Sequence, residues 1–326
     1  MKKKNNKIII DTSKINKNET RGFNETKEIF CYICTEVLFG KYKKATFSYP
    51  GGCDIGTRPI ELHLKAFEKL GINIEKNYGN IVCKCDKITG EKIDLEFPSV
   101  GATENAMLAS VLAEGKTQIT NAAREPEIID LQNFLNKMGA KVKGAGTSEI
   151  EIQGVKKLKD VSYNIMPDRI ETGTFLCLAA INKGNIIVKN ADSTHITPII
   201  DKLEEIGCQF NIYKDQIEIK SPRRIKAVDI KTTPYPGFPT DMQSIFASVL
   251  TIAKGTSIIT ENIFENRYKY VNELIRMGAK ISVEGKTAVI KGVRKLYGAN
   301  VETTDLRGGA AMVIAASNAK RNNKDI

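Results

Sequence analysis

Apolar and polar positions along the chain fall into a repeating order. Four stretches, Phe67–Ile74, Phe134–Val142, Leu203–Phe210 and Leu274–Ile281, each read as the end of an amphipathic helix, then an apolar residue and Gly, then a β-like segment. The glycines are Gly71, Gly139, Gly207 and Gly278, at intervals of 68, 68 and 71 residues. A helix that stops at such a point needs a left-handed residue, which glycine supplies without a Cβ clash. Between these stretches lie more apolar helices, Thr103–Gly115, Glu171–Gly184 and Asp241–Gly255, each expected to close at its glycine. Strands are expected directly after them at Thr117–Thr120, Asn185–Val188 and Thr256–Thr260.

A regular interval of this size marks a structural repeat, in which no unit can bury its helices alone. The expectation is an α/β protein built from units of about 70 residues. A dinucleotide-binding fold does not fit, because no G-x-G-x-x-G follows a strand. The half-way point of the repeats falls near Ile165–Pro167, in a segment that Pro167 holds extended. This predicts two domains, 1–165 and 166–326. The first residues read as only the back half of a unit, with a strand at Ile8–Asp11 and a helix around Lys27–Phe39. At the other end a helix at Gly308–Ser317 runs into a polar tail without its closing Gly and strand. The repeat is therefore expected to be incomplete at both termini.

Composition narrows the class. The chain has 326 residues, 41% hydrophobic and 27% charged, which fits a globular protein with room for two domains. Its longest apolar runs, such as Phe175–Ile181, are far too short to span a bilayer. With no leader pattern at the start, the expected location is the cytosol. The net charge of +11 comes from Lys spread along the chain. Such a surface suits nucleic acid or small anionic metabolites. With no nucleic-acid-binding motif and no Trp, the second partner class is favoured. Seven cysteines and two histidines include a lone C-x-x-C (Cys31, Cys34) and a C-x-C (Cys83, Cys85), without the second pair that zinc requires. Cys177 and Cys208 read as small core hydrophobes.

Three places could carry chemistry. In Pro50–His63, PGGCDIGTRPIELH, Cys53 stands on a glycine loop five residues before Arg58. It suits a nucleophile or proton donor whose thiolate a nearby cation would favour, or simply a Cys in a turn. Asp241, in Phe238-Pro-Thr-Asp-Met242, reads either as a helix-start acid or as a general base. The corresponding corners of other units hold Thr103-Glu104 and Arg169-Ile-Glu171. Ser99-Val100-Gly101 opens a helix whose amides could hold a phosphate, though such starts are common. Arg124, Arg169, Arg267 and Arg307 lie near these corners, as anion ligands or as ordinary surface cations.

Taken together, PGGCDIGTRPIELHL, SVGATEN, NAAREPEI, MPDRIETGTF, FPTDMQ, FENR and TTDLR resemble the enolpyruvyl transferases of bacterial cell-wall synthesis, from about Lys44 to Ala316. The related transferase of the shikimate pathway shares the fold, but the Gly-Gly-Cys loop and the Ala-Ala-Arg-Glu segment point to the cell-wall branch. The resemblance implies a two-domain, inside-out α/β barrel fold with substrates between the domains. It implies transfer of the enolpyruvyl group of phosphoenolpyruvate to the 3′-hydroxyl of UDP-N-acetylglucosamine, by a monomer without metal or cofactor. Cys53 is then the loop acid that protonates phosphoenolpyruvate, Asp241 the base, and Arg58 a phosphoenolpyruvate ligand. Arg58, Pro59, Ile60, Glu61 and Leu62 line the nucleotide side with Ser99, Val100, Gly101 and Ile263. Arg267, Asp305 and Arg307 flank the reacting centre. The family's Lys-Asn pair would precede the first residue, a family Arg corresponds to Ile29, and a last Arg would lie beyond Ile326. Three substrate cations are thus expected to be missing, which leaves a non-catalytic remnant that binds at most the UDP-sugar as the alternative.

Overall fold

The computed structural model describes residues 2–4, 7–11, 44–48, 55–56, 60–77, 79–303 and 305–320. The helix expected around Lys27–Phe39, the pair Cys31 and Cys34, and Cys53, Arg58 and Pro59 lie outside these residues. The chain starts with a hairpin of β1 (Lys2–Lys4) and β2 (Lys7–Ile9).

Two intervals of the repeat then fold in the same way. A strand leads into a largely apolar helix, followed by a strand, a second helix and a hairpin. In one interval these are β6 (Lys92–Asp94), α2 (Val100–Ser110), β7 (Lys116–Thr120), α3 (Pro126–Lys137), β8 (Lys141–Lys143) and β9 (Glu149–Gln153). In another they are β13 (Ile230–Lys231), α6 (Gln243–Leu250), β14 (Thr256–Thr260), α7 (Val271–Arg276), β15 (Lys280–Glu284) and β16 (Thr287–Lys291). Their sheets have the same strand order, β6-β7-β9-β8 and β13-β14-β16-β15, with a parallel first pair and antiparallel pairs after it. Between them come α4 (Arg169–Ile181), β10 (Asn185–Lys189), α5 (Thr197–Glu205), β11 (Gln209–Ile212) and β12 (Gln216–Lys220). Before the first lie β3 (Lys44–Ser48), α1 (Glu61–Lys69), β4 (Asn73–Asn77) and β5 (Asn80–Lys84), and α8 (Leu306–Asn318) is the last helix of the described residues.

The repeat extends to single contacts. Gly154 donates to the Gly115 carbonyl at 3.0 Å, and Gly292 donates to that of Gly255, also at 3.0 Å. A Cβ on Gly154 would stand 1.6 Å from the Ala113 carbonyl oxygen, and one on Gly292 1.7 Å from that of Ala253. Both positions exclude every side chain for the same steric reason. The four punctuating glycines, Gly71, Gly139, Gly207 and Gly278, all have positive φ, between +83° and +109°. One closing residue differs from expectation: after α4 the left-handed residue is Lys183, at φ 56°, rather than Gly184. The apolar helices also end before their glycines, because a turn separates each helix from the next strand.

Buried side chains form two clusters, one spanning Ala45–Ile152 and one spanning Ile170–Ala315. In the second, α4, α6 and α8 pack on one another with the sheets outside them. Small residues allow this: a Cβ on Gly173 would already stand 3.0 Å from Met242. Ser248 of α6 donates to the Ala311 carbonyl of α8 at 2.9 Å, satisfying its hydroxyl inside the bundle. No helix among the described residues is long and apolar enough to cross a membrane.

Candidate active site

Asp241 sits in a single 3₁₀ turn, Thr240–Met242, that leads into α6. Its carboxylate caps nothing. Oδ1 accepts from Arg267 at 2.9 Å and Oδ2 from Arg307 at 2.7 Å. Arg307 is placed by Asp305, which caps α8 by accepting from the Arg307 and Gly308 amides at 3.1 and 3.0 Å. Arg267 is 3% exposed, donates also to the Thr240 carbonyl at 3.3 Å, and stacks 5.6 Å from the Phe264 ring. Burial alone would raise the Asp241 pKa, but the Arg307 and Arg267 charges and hydrogen bonds outweigh it and hold it below the usual value. The site thus keeps an ionised carboxylate whose oxygens each retain a lone pair, between a buried guanidinium, Arg267, and a partly exposed one, Arg307.

The described end of the glycine loop meets this cluster. Asn266, next to Arg267, donates its amide to the Ile55 carbonyl at 2.9 Å, and Gly56 packs against Glu265. On the other side of the loop Ile60 is 5% exposed within the first core, Glu61 is exposed at the start of α1, and Leu62 is partly buried. Ser99 caps α2 by accepting from Ala102 at 3.3 Å, with Val100 and Gly101 in its first turn. His63 links these two stretches. It lies 2.8 Å from Asn105 through Nδ1, packs under Gly101, and burial lowers its pKa to about 4, so the ring is neutral.

Sequence reasoning named Glu104 only as a helix-start corner and missed the cluster it forms, as it missed a second acidic feature. The cluster is at the start of α2 and α3. Arg169 donates to Glu127 at 2.9 Å and lies 5.7 Å from the Tyr235 ring. Burial, then the Glu127 and Glu125 charges, pushes the Glu104 pKa up to about 7. In unfolded chain that carboxyl would titrate near its ordinary value, so between pH 4.5 and 7 the folded protein alone holds the proton. Stability conferred below this window should therefore be lost as pH rises through it, by at most about 3 kcal/mol. Glu104→Gln is expected to leave the melting temperature unchanged at pH 5 and to raise it by several degrees at pH 8. A shift of equal size at both pH values would contradict the assignment. The NAAREPEI stretch held a signal for this cluster in its paired acids. The second missed feature is Glu261, at the end of β14, for which the sequence held no signal.

Residues 32–324 match the family described as EPSP synthase (3-phosphoshikimate 1-carboxyvinyltransferase). The chain belongs to this enolpyruvyl transferase family. Among its relatives, UDP-N-acetylglucosamine 1-carboxyvinyltransferase 2 of Caldanaerobacter subterraneus subsp. tengcongensis is 58% identical, over 87% of this chain and 68% of that protein. The like-named protein of Carboxydothermus hydrogenoformans is 49% identical over 94% and 74%. Among solved structures, the enolpyruvyl transferase NikO from Streptomyces tendae superposes with a TM-score of 0.79 at 20% identity, over 89% of this chain and 70% of that one. EPSP synthase from Acinetobacter baumannii gives 0.64 at 20% identity, over 88% and 71%. These two bear on the fold, which is that of the enolpyruvyl transferases.

Proposed function

We propose that this enolpyruvyl transferase uses UDP-N-acetylglucosamine as acceptor and phosphoenolpyruvate as donor. The observation that carries the reading is the Asp241 carboxylate between Arg267 and Arg307, beside the docked end of the Cys53 loop. The relatives at 58% and 49% identity carry the name of that reaction. Asp241 takes the proton of the sugar 3′-hydroxyl while its oxygen bonds to C2 of phosphoenolpyruvate, and Cys53 gives a proton to the methylene carbon. One methyl proton then returns to the Cys53 thiolate as phosphate leaves with the proton held by Asp241, which restores the vinyl group and both side chains. Arg58, Arg267 and Arg307 meet the anionic groups. Ser99, Val100, Gly101, Ile263 and the Arg58–Leu62 strip hold the nucleotide sugar between two domains, 1–165 and 166–326. In this reading the chain acts as a cytoplasmic monomer at the first committed step of peptidoglycan synthesis, and so bears on cell shape and division.

Phosphate release tests it directly. The purified chain with phosphoenolpyruvate is expected to release phosphate only when UDP-N-acetylglucosamine is present, and Cys53→Ala should abolish the release. A thermal shift with UDP-N-acetylglucosamine but no phosphate would favour the sugar-binding remnant instead.

A further inference from the structure

One buried acid outside the Arg-clamped carboxylate organises the segments around it. Glu261 is 1% exposed and stands directly after β14. Its Oε1 accepts from the amides of Ile263 and Phe264 at 2.8 and 3.2 Å and from the Thr232 hydroxyl at 2.9 Å. Its Oε2 accepts from the Thr240 hydroxyl at 3.0 Å. Thr232 is itself fixed: its hydroxyl accepts from the Asn262 amide at 2.9 Å, and its carbonyl accepts from the Asn262 side chain at 3.0 Å. Burying a carboxylate is costly unless it accepts hydrogen bonds, and here four donors supply them, three at Oε1 and one at Oε2, with no salt-bridge cation among the described residues.

The four donors belong to three segments, two of which border Asp241 or its partner Arg267. Thr240 precedes Asp241, and the Thr240 carbonyl is also an acceptor for Arg267. Phe264 stacks on that guanidinium. Two residues beyond Phe264, Asn266 holds Ile55 of the glycine loop. We infer that Glu261 is a positioning residue, a buried brace that sets the Asp241 turn, the Arg267 guanidinium and the loop-docking segment relative to one another. It touches none of the reacting groups and acts only through Thr240 and the 263–264 amides. The inference rests on the proposed transferase reading for its kinetic consequence, but not for its structural one.

The Thr240 bond can be cut without opening a cavity. Thr240→Val should lower kcat for enolpyruvyl transfer about tenfold, with KM for UDP-N-acetylglucosamine changed less than about twofold. Thr240→Ser, which keeps the hydroxyl, should restore most of the rate. Glu261→Gln retains Oε1 for the three donors there and should fold with much of its activity. Glu261→Ala should lower kcat about 100-fold and speed deuterium uptake within residues 262–267, while the rest of the second core stays protected. A Thr240→Val protein with unchanged kcat, a Thr240→Ser protein no better than it, or uptake in Glu261→Ala that rises evenly across the second core would each overturn the brace. A wild-type chain that turns over nothing refutes the transferase reading alone, because the uptake pattern still decides whether Glu261 positions this segment.

Discussion

Asp241→Asn should lose transferase turnover by roughly 1,000-fold or more while keeping most of its fold. The reasoning begins with the carboxylate as a base. A positioned general base contributes about 10²- to 10⁴-fold, and the amide that replaces it cannot accept the hydroxyl proton. The same change removes the negative charge that faces Arg267 and Arg307. Arg267 is 3% exposed, so an unpaired cation would be left inside the second core. Breaking a buried pair costs about 3–5 kcal/mol; the Asp241 side chain is 37% exposed, so the lower end applies. The Asn oxygen still accepts one guanidinium bond, which limits the loss further. The lowered pKa of Asp241 gives that loss a pH dependence. The stability from its ionised form is present above the unfolded carboxyl pKa and disappears as pH falls through the folded one. Wild type and Asp241→Asn should therefore melt far apart at pH 7 and converge in acid. Phosphate-release kinetics with thermal unfolding at several pH values measures both effects. Asp241→Asn turnover within about tenfold of wild type, roughly 1.4 kcal/mol, would remove Asp241 from the role of base.

Much of this architecture could be read in the chain because the repeat constrains it twice. Glycines at fixed intervals marked where helices stop, and β7, β10 and β14 begin within one residue of the expected strands. Backbone punctuation is local, so sequence carries it. Lys183 is the instructive exception, since the position required a left-handed residue and the chain put it one residue before the available glycine. Asp241, Arg267 and Arg307 were each nameable from their motifs. Their meeting was not, because it depends on three segments up to 66 residues apart. Glu261 was invisible for a related reason. A carboxylate satisfied by two amides and two hydroxyls leaves no oppositely charged partner to suggest it. Glu104 and Glu125 likewise acquire their raised pKa values chiefly from burial that packing creates, helped by the acidic neighbours that packing brings near.

The two arginines at Asp241 should separate into a functional and a structural partner when each is removed. Arg307 is 26% exposed and sits in the first turn of α8, held by the Asp305 cap rather than by surrounding side chains. Arg307→Ala leaves Asp241 paired with Arg267, so the fold should lose about 1 kcal/mol or less, as for a partly exposed pair. Its cost should appear in catalysis. A charge-assisted hydrogen bond contributes about 1.5–3 kcal/mol, which predicts a turnover lower by roughly 10- to 150-fold. Arg307 is also the larger of the two charge influences that lower the Asp241 pKa, after burial, which acts the other way. Without it the carboxylate titrates at higher pH, and the acid limb of the activity profile should move upward with it. Arg267→Ala should behave differently. It takes a cation from a 3% exposed site and leaves the Thr240 carbonyl and the Phe264 face without their partner. The expected outcome is a stability loss of about 2–4 kcal/mol, on top of a rate defect. Urea unfolding and pH–rate profiles on the two variants, side by side, make the comparison. Equal stability losses, or an acid limb that stays in place in Arg307→Ala, would show that the two guanidinium groups share one role.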